Sequence, residues 1–448
     1  MVAFTVLLAT LAYGLGGPRH PLWARMLGIG KYVTKGKVVG EVAPGFEAVR
    51  EAYQRNVDDG LERGSQLVVY HKGKKVVDLY GGTLGDKYDG DTLQVVFSVT
   101  KNLSALAIAH LVSKGHLDYQ AKVAKYWPEF AQNGKEEITV ADVLRHEAGL
   151  AYFADGNTKA PWNYAKRDEL DKMANFIAEQ APIWTYDKGF KPKDRIYHTY
   201  TRGFILQEIV RRADPAKRSI GILLKQEITG PLGLDVVFGG PSPGEEARVS
   251  NLQFDGFAEM LVRHFLGLML RENRPDDNVR VAALGIPTSR PSKSFNSMDF
   301  SSFPDPDSWF NEADVRTAEI GSANSLSNAR SLGVLADLLS RGKLLPAETH
   351  AAAHAQPTSK YDYTLCFETL FTQGGFANFG PPHFDEACSG FTGWGGYGGN
   401  QFCWNQELEV GLAYLQNGSI YTSLLGFRDP RCLRLTQALR DCLAAQGI

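Results

Sequence analysis

The stretch Val96-Phe97-Ser98-Val99-Thr100-Lys101 decides how this chain is interpreted, because an apolar run over residues 103–112 follows it directly. Leucine, isoleucine and valine recur in that run at helical spacing, so a helix is expected to begin near Ser98. Positions three apart share a helix face, which places the Lys101 amine one turn from the Ser98 hydroxyl. A lysine takes a serine proton only when burial or positive charge lowers the pKa of the lysine. The pattern predicts a serine nucleophile with an adjacent lysine base, although a solvated helix start would look the same.

The composition is that of an ordinary globular protein and excludes several classes. Hydrophobic residues make up 44% of the 448 positions, and 48 lysines and arginines nearly balance 50 aspartates and glutamates. No clustered basic face is evident, so a nucleic-acid partner is not expected. The length is sufficient for a large core in one or two domains.

The cysteines and histidines do not have the spacing of a metal site. The five cysteines lie in the last quarter of the chain without a C-x-x-C pair, which favours buried structural thiols. Cys432 and Cys442 could still pair in an oxidising compartment. No H-E-x-x-H or similar histidine spacing occurs, so neither a metal nor another cofactor is expected.

The first 40 residues differ from the rest of the chain. Residues 2–17 carry no charge, and five basic residues follow before the first acid at Glu41. This apolar run is shorter than the roughly 20 residues that cross a bilayer comfortably. A short membrane anchor is the preferred interpretation, with a cleaved targeting peptide or a buried helix as alternatives.

Strand patterns lie toward both ends of the chain, with helical patterns between them. Residues 65–71 and 75–80, separated by Lys72-Gly73-Lys74, predict a β-hairpin. Further strands are expected at 363–370, 398–404 and 409–416, and helices at 167–180, 202–213, 217–229, 260–270, 328–341 and 432–445. Residues 271–318 form an irregular stretch, which either shapes a binding site or is disordered.

This order of elements predicts an α/β (α+β) fold in which distant segments build one antiparallel sheet flanked by helices. A mostly helical lobe at about 103–318 is expected to be inserted into it. The predicted organisation is an N-terminal anchor or targeting segment at 1–40, a main domain at 41–430 and a C-terminal helix at 431–448.

Several segments in the same order resemble the serine β-lactamase and penicillin-binding-protein superfamily. Val77-Asp78-Leu79-Tyr80-Gly81-Gly82 looks like its second strand, and the stretch ending at Lys101 looks like the approach to its nucleophile. Residues 138–150, which end in His146-Glu147-Ala148-Gly149-Leu150, are similar to its H-x-x-G-L turn. The similarity covers about 60–418 and is strongest to the class C-like branch, with its family VIII carboxylesterases and LACTB-like proteins. It implies a class C β-lactamase-like fold and a structural role for His146.

The family's second element is a tyrosine followed two residues later by asparagine and six later by glycine. Tyr197-His198-Thr199-Tyr200-Thr201-Arg202-Gly203 resembles it, with Thr199 where asparagine usually stands. The resemblance implies that Tyr197, hydrogen-bonded to Lys101, relays the Ser98 proton to the leaving group, since a nearby cation favours the phenolate. Tyr200 is a neighbouring candidate, and a half-buried aromatic at a helix start is the structural alternative.

The third element is a K-T-G or H-x-G triplet on the strand that lines the site. Trp394-Gly395-Gly396-Tyr397 occupies its place, with Trp394 replacing the cationic residue. The resemblance implies that the amides of Tyr397 and Ser98 form an oxyanion hole, and that Trp394, Gly395, Gly396 and Thr199 face the substrate. A glycine-rich hairpin with an aromatic plug is the structural alternative.

These departures favour esters or small acyl compounds over β-lactams, because the groups that grip a β-lactam carboxylate and amide are absent. The leading hypothesis is a serine hydrolase that forms an acyl-enzyme at Ser98, acts on a small-molecule acyl substrate and is tethered to a membrane by its N-terminus. A mitochondrial membrane is one location and the secretory pathway another. The alternative outside the enzymes is a catalytically inactive scaffold subunit of a membrane assembly. In that assembly the chain would be one of several subunits or would form an oligomer. A peptidase or transpeptidase is the alternative among enzymes.

Overall fold

Strands from the two ends of the chain form one nine-stranded antiparallel sheet in the computed structural model, which describes residues 36–59, 61–154, 156, 158–254, 286–303, 309–419 and 426–448. The strands are β1 (Lys37–Val42), β2 (Ser65–His71), β3 (Lys74–Gly82), β4 (Thr358–Asp362), β5 (Phe367–Phe371), β6 (Ala377–Asn378), β7 (Thr392–Gly396), β8 (Asn400–Asn405) and β9 (Val410–Gln416). Their order across the sheet is β1-β3-β2-β9-β8-β7-β6-β5-β4. The pairing of β9 with β2 joins the two ends of the chain.

Both faces of this sheet are buried, as the side chains that alternate between its two faces along β9 show. Val410, Leu412 and Tyr414 pack into one hydrophobic core, whereas Ala413 and Leu415 pack into the other. Successive side chains of a strand point to opposite faces, so an almost continuously apolar strand serves two cores at once. The sheet therefore forms the layer between two sets of helices.

The helices divide between the two faces. The bounds are α1 (Glu47–Asp58), α2 (Thr100–Ser113), α3 (Val140–Leu144), α4 (Leu170–Glu179), α5 (Thr201–Ala213), α6 (Ile220–Leu224), α7 (Pro243–Glu246), α8 (Arg290–Phe295), α9 (Ala313–Arg316), α10 (Ala329–Ser340), α11 (Ala347–His354) and α12 (Pro430–Ala445). α1 and α12 pack on one face, and α10 packs across β2 and β9 on the other, next to the helices that intervene between β3 and β4.

α2 is the central helix of the second core. Leu103, Leu106 and Ile108 are fully buried, and so are the alanines between them. A helix that is apolar on every side is enclosed by protein on every side. The start of α2 is therefore held in a fixed position between the sheet and the neighbouring helices.

The predicted antiparallel sheet with helices inserted between its strands is confirmed, as are the hairpin of β2 and β3 and the strand β9. The single strand expected at 363–370 is wrong, since β4 and β5 form a hairpin there. The Asp362 carboxylate accepts the amides of Thr364 and Leu365 and closes the turn, and Cys366 has φ +64°. The apolar pattern at 363–370 gives no sign of this polar turn, so the sequence suggested one continuous strand.

The region at about 103–240 contains less regular helix than expected. α2 and α5 match the pattern, but 114–139 and 145–169 are mostly turns and short 3₁₀ segments. The helix expected at 217–229 is α6 followed by a π-helical turn, Lys225–Thr229. The helix expected at 260–270 and almost all of the segment at 1–40 lie outside the described residues, and β1 begins at Lys37. Within the described residues, no helix has the length and apolar character needed to cross a membrane.

Gly411 tests the packing of α10 on the sheet. A Cβ at this position would lie 2.4 Å from the Asp337 nitrogen and 2.5 Å from the Ala336 carbonyl carbon, both in the backbone of α10. Gly411→Ala is expected to lower the free energy of unfolding by about 1–3 kcal/mol, because backbone cannot move aside as a flexible side chain can. Gly244→Ala is the matched control, since a Cβ there meets nothing within 4 Å. Urea denaturation that gives equal stabilities for the two variants would contradict this account.

Candidate active site

Ser98 lies in a single 3₁₀ turn, Phe97–Val99, that leads directly into α2. Phe97 has φ +48°, a left-handed conformation that costs an ordinary residue about 1–2 kcal/mol. Val96 and Val99 are fully buried, whereas Ser98 is partly exposed. The turn therefore presents the Ser98 hydroxyl at an accessible surface while its neighbours anchor the helix start.

Lys101 lies one turn further along α2, and three oxygen atoms surround its amine. Nζ is 3.1 Å from Ser98 Oγ, 2.8 Å from the carbonyl oxygen of Thr199 and 3.0 Å from that of Ser322. Carbonyl oxygens only accept hydrogen bonds, whereas a hydroxyl can also donate one. A neutral amine has two N–H groups for the carbonyls and a lone pair for the Ser98 proton. The contacts thus suit a lysine that accepts the Ser98 proton.

The surroundings of Lys101 favour this neutral form. The side chain is 1% exposed, and burial followed by the positive charge of Arg202 holds the pKa of Lys101 well below its usual value. Loss of solvation penalises only the charged form of an amine, and a neighbouring cation adds to that penalty. The base form is therefore available at a lower pH than in an exposed lysine.

Tyr197 lies against both Lys101 and Trp394. Its hydroxyl accepts a hydrogen bond from Trp394 Nε1 at 3.0 Å, and Lys101 Nζ lies 4.6 Å from the centroid of its ring. Burial raises the pKa of Tyr197 above its usual value, although hydrogen bonds with Ser98 and Trp394 oppose that rise. The amine lies over the ring face and burial favours the neutral phenol, so the proton relay expected of Tyr197 stays a prediction.

Three neighbours fix the position of Tyr197. Asp362 Oδ1 accepts its amide at 3.0 Å, and Ser294 Oγ donates to its carbonyl oxygen at 2.7 Å. The His146 ring packs on the phenol at 4.5 Å between centroids and is fully buried. These contacts suit the structural role expected for His146. Tyr200, the other candidate, packs instead against Phe300 and Trp309.

Glycines allow β7 to approach the nucleophile turn. A Cβ on Gly396 would lie 2.5 Å from the Val96 carbonyl oxygen, and one on Gly395 would lie 2.5 Å from the Gly426 nitrogen. Only glycine permits these distances between backbones. Tyr397 begins a 3₁₀ turn directly after the strand, and Arg431 donates to the carbonyl oxygen of Gly398 in this turn at 2.6 Å. The amide of Tyr397 is thereby held beside the Ser98 turn, where the predicted oxyanion hole would lie.

The indole N–H of Trp394 and the hydroxyl of Thr199 both form hydrogen bonds with other side chains of the protein. The Trp394 side chain is 1% exposed and packs on Phe371, in addition to its bond to Tyr197. The Thr199 hydroxyl forms a 2.9 Å hydrogen bond with Ser294 Oγ, and its carbonyl oxygen accepts from Lys101. The structure thus brings together all the predicted site residues, while the substrate contacts expected of these two stay predictions.

Sequence patterns alone missed four residues that build the site. Ser322, in an irregular segment, and Asp362, at the end of β4, lie more than 150 positions from their partners, and Ser294 lies in a stretch expected to be irregular. Arg202 was visible inside the tyrosine motif, between Tyr197 and the glycine, yet its position gave no sign that it would face the base. Residues of this kind can be identified only from distances in the folded structure.

The described part of the chain contains no group of three or more histidine, cysteine, aspartate or glutamate side chains that could hold a metal ion. Cys432 and Cys442, which could have paired, are separate thiols.

Comparison with known proteins agrees with this geometry. Residues 50–425 match the family model described as Beta-lactamase. The Esterase/beta-lactamase LipL of Mycobacterium tuberculosis is 30% identical over 215 residues, which are 47% of this chain and 46% of that protein. The N-acetylmuramyl-L-alanine amidase of Bacillus subtilis is 28% identical over 209 residues, 40% of this chain and 45% of that protein. The chain spans about half the length of the curated relatives it matches.

Solved structures match over a larger share of the chain. A family VIII carboxylesterase has a TM-score of 0.73 at 25% identity and covers 91% of this chain and 100% of its own. A penicillin-binding protein homolog from Caulobacter crescentus has a TM-score of 0.70 at 29% identity, with the same coverage of both chains. These matches confirm the predicted family and fold, and the esterases among the relatives support the prediction of a serine hydrolase.

The state of Lys101 can be tested at Ser98 itself. A fluorophosphonate should label Ser98 through its activated hydroxyl, and the labelling rate is expected to fall on acidification as Lys101 becomes protonated. Lys101→Met should lower the rate by about 100-fold or more, because the base is lost. Mass spectrometry of the labelled peptide measures the rate, with Ser98→Ala as the negative control. Labelling that survives in Ser98→Ala, or a rate unchanged in Lys101→Met, would remove these assignments.

Proposed function

This chain belongs to the beta-lactamase family, and on that premise we propose that it is a serine hydrolase that cleaves carboxylic esters through an acyl-enzyme at Ser98. The observation that carries the proposal is the 3.1 Å contact between Lys101 Nζ and Ser98 Oγ, in which a buried amine faces an accessible hydroxyl. A serine becomes a competent nucleophile when such a base removes its proton.

In the proposed first step, Ser98 Oγ attacks the ester carbonyl carbon and its proton passes to Lys101 Nζ. The amides of Ser98 and Tyr397 donate to the oxyanion that forms. The bond to the alkoxy group then breaks, and the neutral Tyr197 hydroxyl supplies the proton that the leaving alkoxide takes up, with Lys101 restoring it. Water attacks the acyl-enzyme in the second step by the same proton route, releasing the carboxylic acid and free Ser98.

The chemistry of the site favours esters over β-lactams. Trp394 donates its indole N–H to Tyr197, and its buried ring offers no cation to a substrate carboxylate. The Thr199 hydroxyl is already bonded to Ser294. An ester needs only a nucleophile, a proton relay and an oxyanion hole, so its hydrolysis does not require a cation or a free amide at these two positions.

Aromatic side chains near Ser98 favour an uncharged, apolar acyl group. The Phe97 ring lies 4.9 Å from that of Phe310 and 5.5 Å from that of Tyr397, between centroids. Phe97 directly precedes the nucleophile, and Tyr397 follows the glycine strand. Apolar groups of a small acyl chain would be sheltered from water at this position.

The substrate assignment predicts measurable hydrolysis of p-nitrophenyl butyrate and little or none of nitrocefin. The loss of one charge-assisted contact typically lowers the rate by about 10 to 150-fold, and the cationic and amide contacts are both missing. The ratio of the two kcat/KM values measures the preference, with Ser98→Ala as the control for background hydrolysis. Nitrocefin turnover equal to that of the ester would overturn it. Inactivity on every ester together with no probe labelling would favour the scaffold alternative, and cleavage of peptide amides alone would favour a peptidase.

We further propose that residues 1–35, which carry the uncharged run at 2–17, tether the hydrolase to a membrane, with a mitochondrial membrane as the first location to examine and the secretory pathway as the second. The full-length protein is expected in the pellet after carbonate extraction, whereas a protein that begins at Gly36 is expected in the supernatant with its esterase activity intact. β1 starts at Lys37, so the shorter protein retains the whole sheet. Full-length protein in the carbonate supernatant would contradict the tether.

A further inference from the structure

The guanidinium of Arg202 is buried behind the site without a carboxylate partner among the described residues. The side chain is 1% exposed, and its Nε has no hydrogen-bond partner. Its other nitrogens have only long contacts, to Gly375 O at 3.4 Å and to His146 Nε2 at 3.5 Å. A buried cation of this kind is costly and therefore needs a reason.

The contact between Arg202 and His146 does not neutralise the charge. The amide of His198 donates to His146 Nδ1 at 3.0 Å, so a neutral His146 carries its proton on Nε2. That N–H faces an N–H of the guanidinium, and neither group can accept. By contrast, the equally buried Arg195 is paired with Glu147 at 2.6 Å, and Arg431 with Asp429 at 2.7 Å.

Arg202 is kept in place by the backbone opposite it. Gly375 has φ +81°, and a Cβ there would lie 2.5 Å from Arg202 Nη2. Any larger residue at 375 would displace the guanidinium or the turn. The space for the cation is thus part of the fold around the site.

A short series of contacts links this cation to the base. From Arg202 the series passes through the His146 ring, which lies 4.5 Å from that of Tyr197, to the Lys101 amine, 4.6 Å above the Tyr197 ring. The titratable or charged groups around the Lys101 amine come from four segments. They are Arg195, Tyr197 and His198 before α5, Arg202 within it, His146 after α3, and Asp362 at the end of β4. Two of these six groups are arginines, and Arg195 is paired with Glu147, whereas Oδ1 of the one carboxylate, Asp362, accepts three amides.

We infer that Arg202 is a positioning residue for the hydrolysis proposed above: its guanidinium keeps the interior behind Tyr197 positively charged, so that Lys101 remains an uncharged amine and accepts the Ser98 proton. The inference rests on the proposed function for its catalytic meaning. Arg202 itself, at 1% exposure, does not reach a substrate. It acts through Lys101, whose lowered pKa has the charge of Arg202 as its second cause after burial.

The test is the pH dependence of an Arg202→Met variant. Removal of a positive charge raises the pKa of Lys101, so the acid limb of the kcat/KM profile for p-nitrophenyl butyrate should move to higher pH. Loss of one unit charge at an effective dielectric constant of about 20 shifts the pKa of a nearby group by about one unit or more. Arg202→Lys, which keeps the charge, should retain the wild-type limb. Arg212→Met, on the same helix with its head group paired to Glu208, is the matched control and should also retain it.

Direct titration of Lys101 separates this inference from the proposed function. The ¹³Cε resonance of Lys101, assigned by its absence in Lys101→Met, should titrate at higher pH in Arg202→Met than in the wild type. If that shift occurs in a protein that hydrolyses no ester, the inference stands and the proposed function fails. If a folded, active Arg202→Met shows the wild-type titration and acid limb, Arg202 is merely structural. If thermal unfolding shows that Arg202→Met does not fold, Arg202→Gln, which retains polar contacts, replaces it. The Lys101 titration and the acid limb of the profile are then measured in that variant and interpreted in the same way.

Discussion

A lysine amine enclosed at the start of a buried helix is the constraint on which the site depends. In its proposed role as a base Lys101 must be uncharged, and the exclusion of water favours the uncharged form. Burial of α2 on every side provides that exclusion. The two carbonyl oxygens that hold the amine belong to Thr199 and Ser322, which are far apart in the chain. The surroundings of this amine therefore form only once the helices have packed together against the sheet.

Close approach between backbones is the second constraint, and it determines where glycine occurs. Gly396 brings β7 against the Ser98 turn, and Gly411 brings β9 against α10. At both positions the nearest atoms belong to backbone, so a side chain cannot be accommodated by rotamer changes. Arg431 then ties the turn after β7 to the C-terminal helix through Gly398. The last helix of the chain in this way supports the turn that carries Tyr397.

The charges inside the molecule follow two different rules. Arg195 and Arg431 are buried beside carboxylates that compensate them, as stability requires. Arg202 lies beside His146 without a carboxylate partner among the described residues, and its charge adds to the effect of burial in lowering the pKa of Lys101. Trp394 adds no further charge and donates its indole N–H to the Tyr197 hydroxyl. Among the described residues of the site, Arg202 is thus a cation without a carboxylate partner, placed out of reach of solvent behind Tyr197.

The sequence by itself determined the features that depend on neighbours along the chain. The Ser98 and Lys101 spacing, the hairpin of β2 and β3 and the C-terminal helix are local, because helical and strand periodicity fix which side chains share a face. The family was also indicated by the order of several short motifs along the chain, which is the order found in that family. The strand at 363–370 was misjudged because the Asp362 turn interrupts an apolar pattern without glycine or proline.

Only the tertiary structure decided the chemical state of the site. Burial and then the charge of Arg202 lower the pKa of Lys101, and Asp362, Ser294 and Trp394 hold Tyr197 in its orientation. Desolvation and Coulomb interactions act through space between residues separated by as many as two hundred positions. No periodicity along the chain records which of those residues will meet, so the surroundings that shift these pKa values could be seen only in the packing.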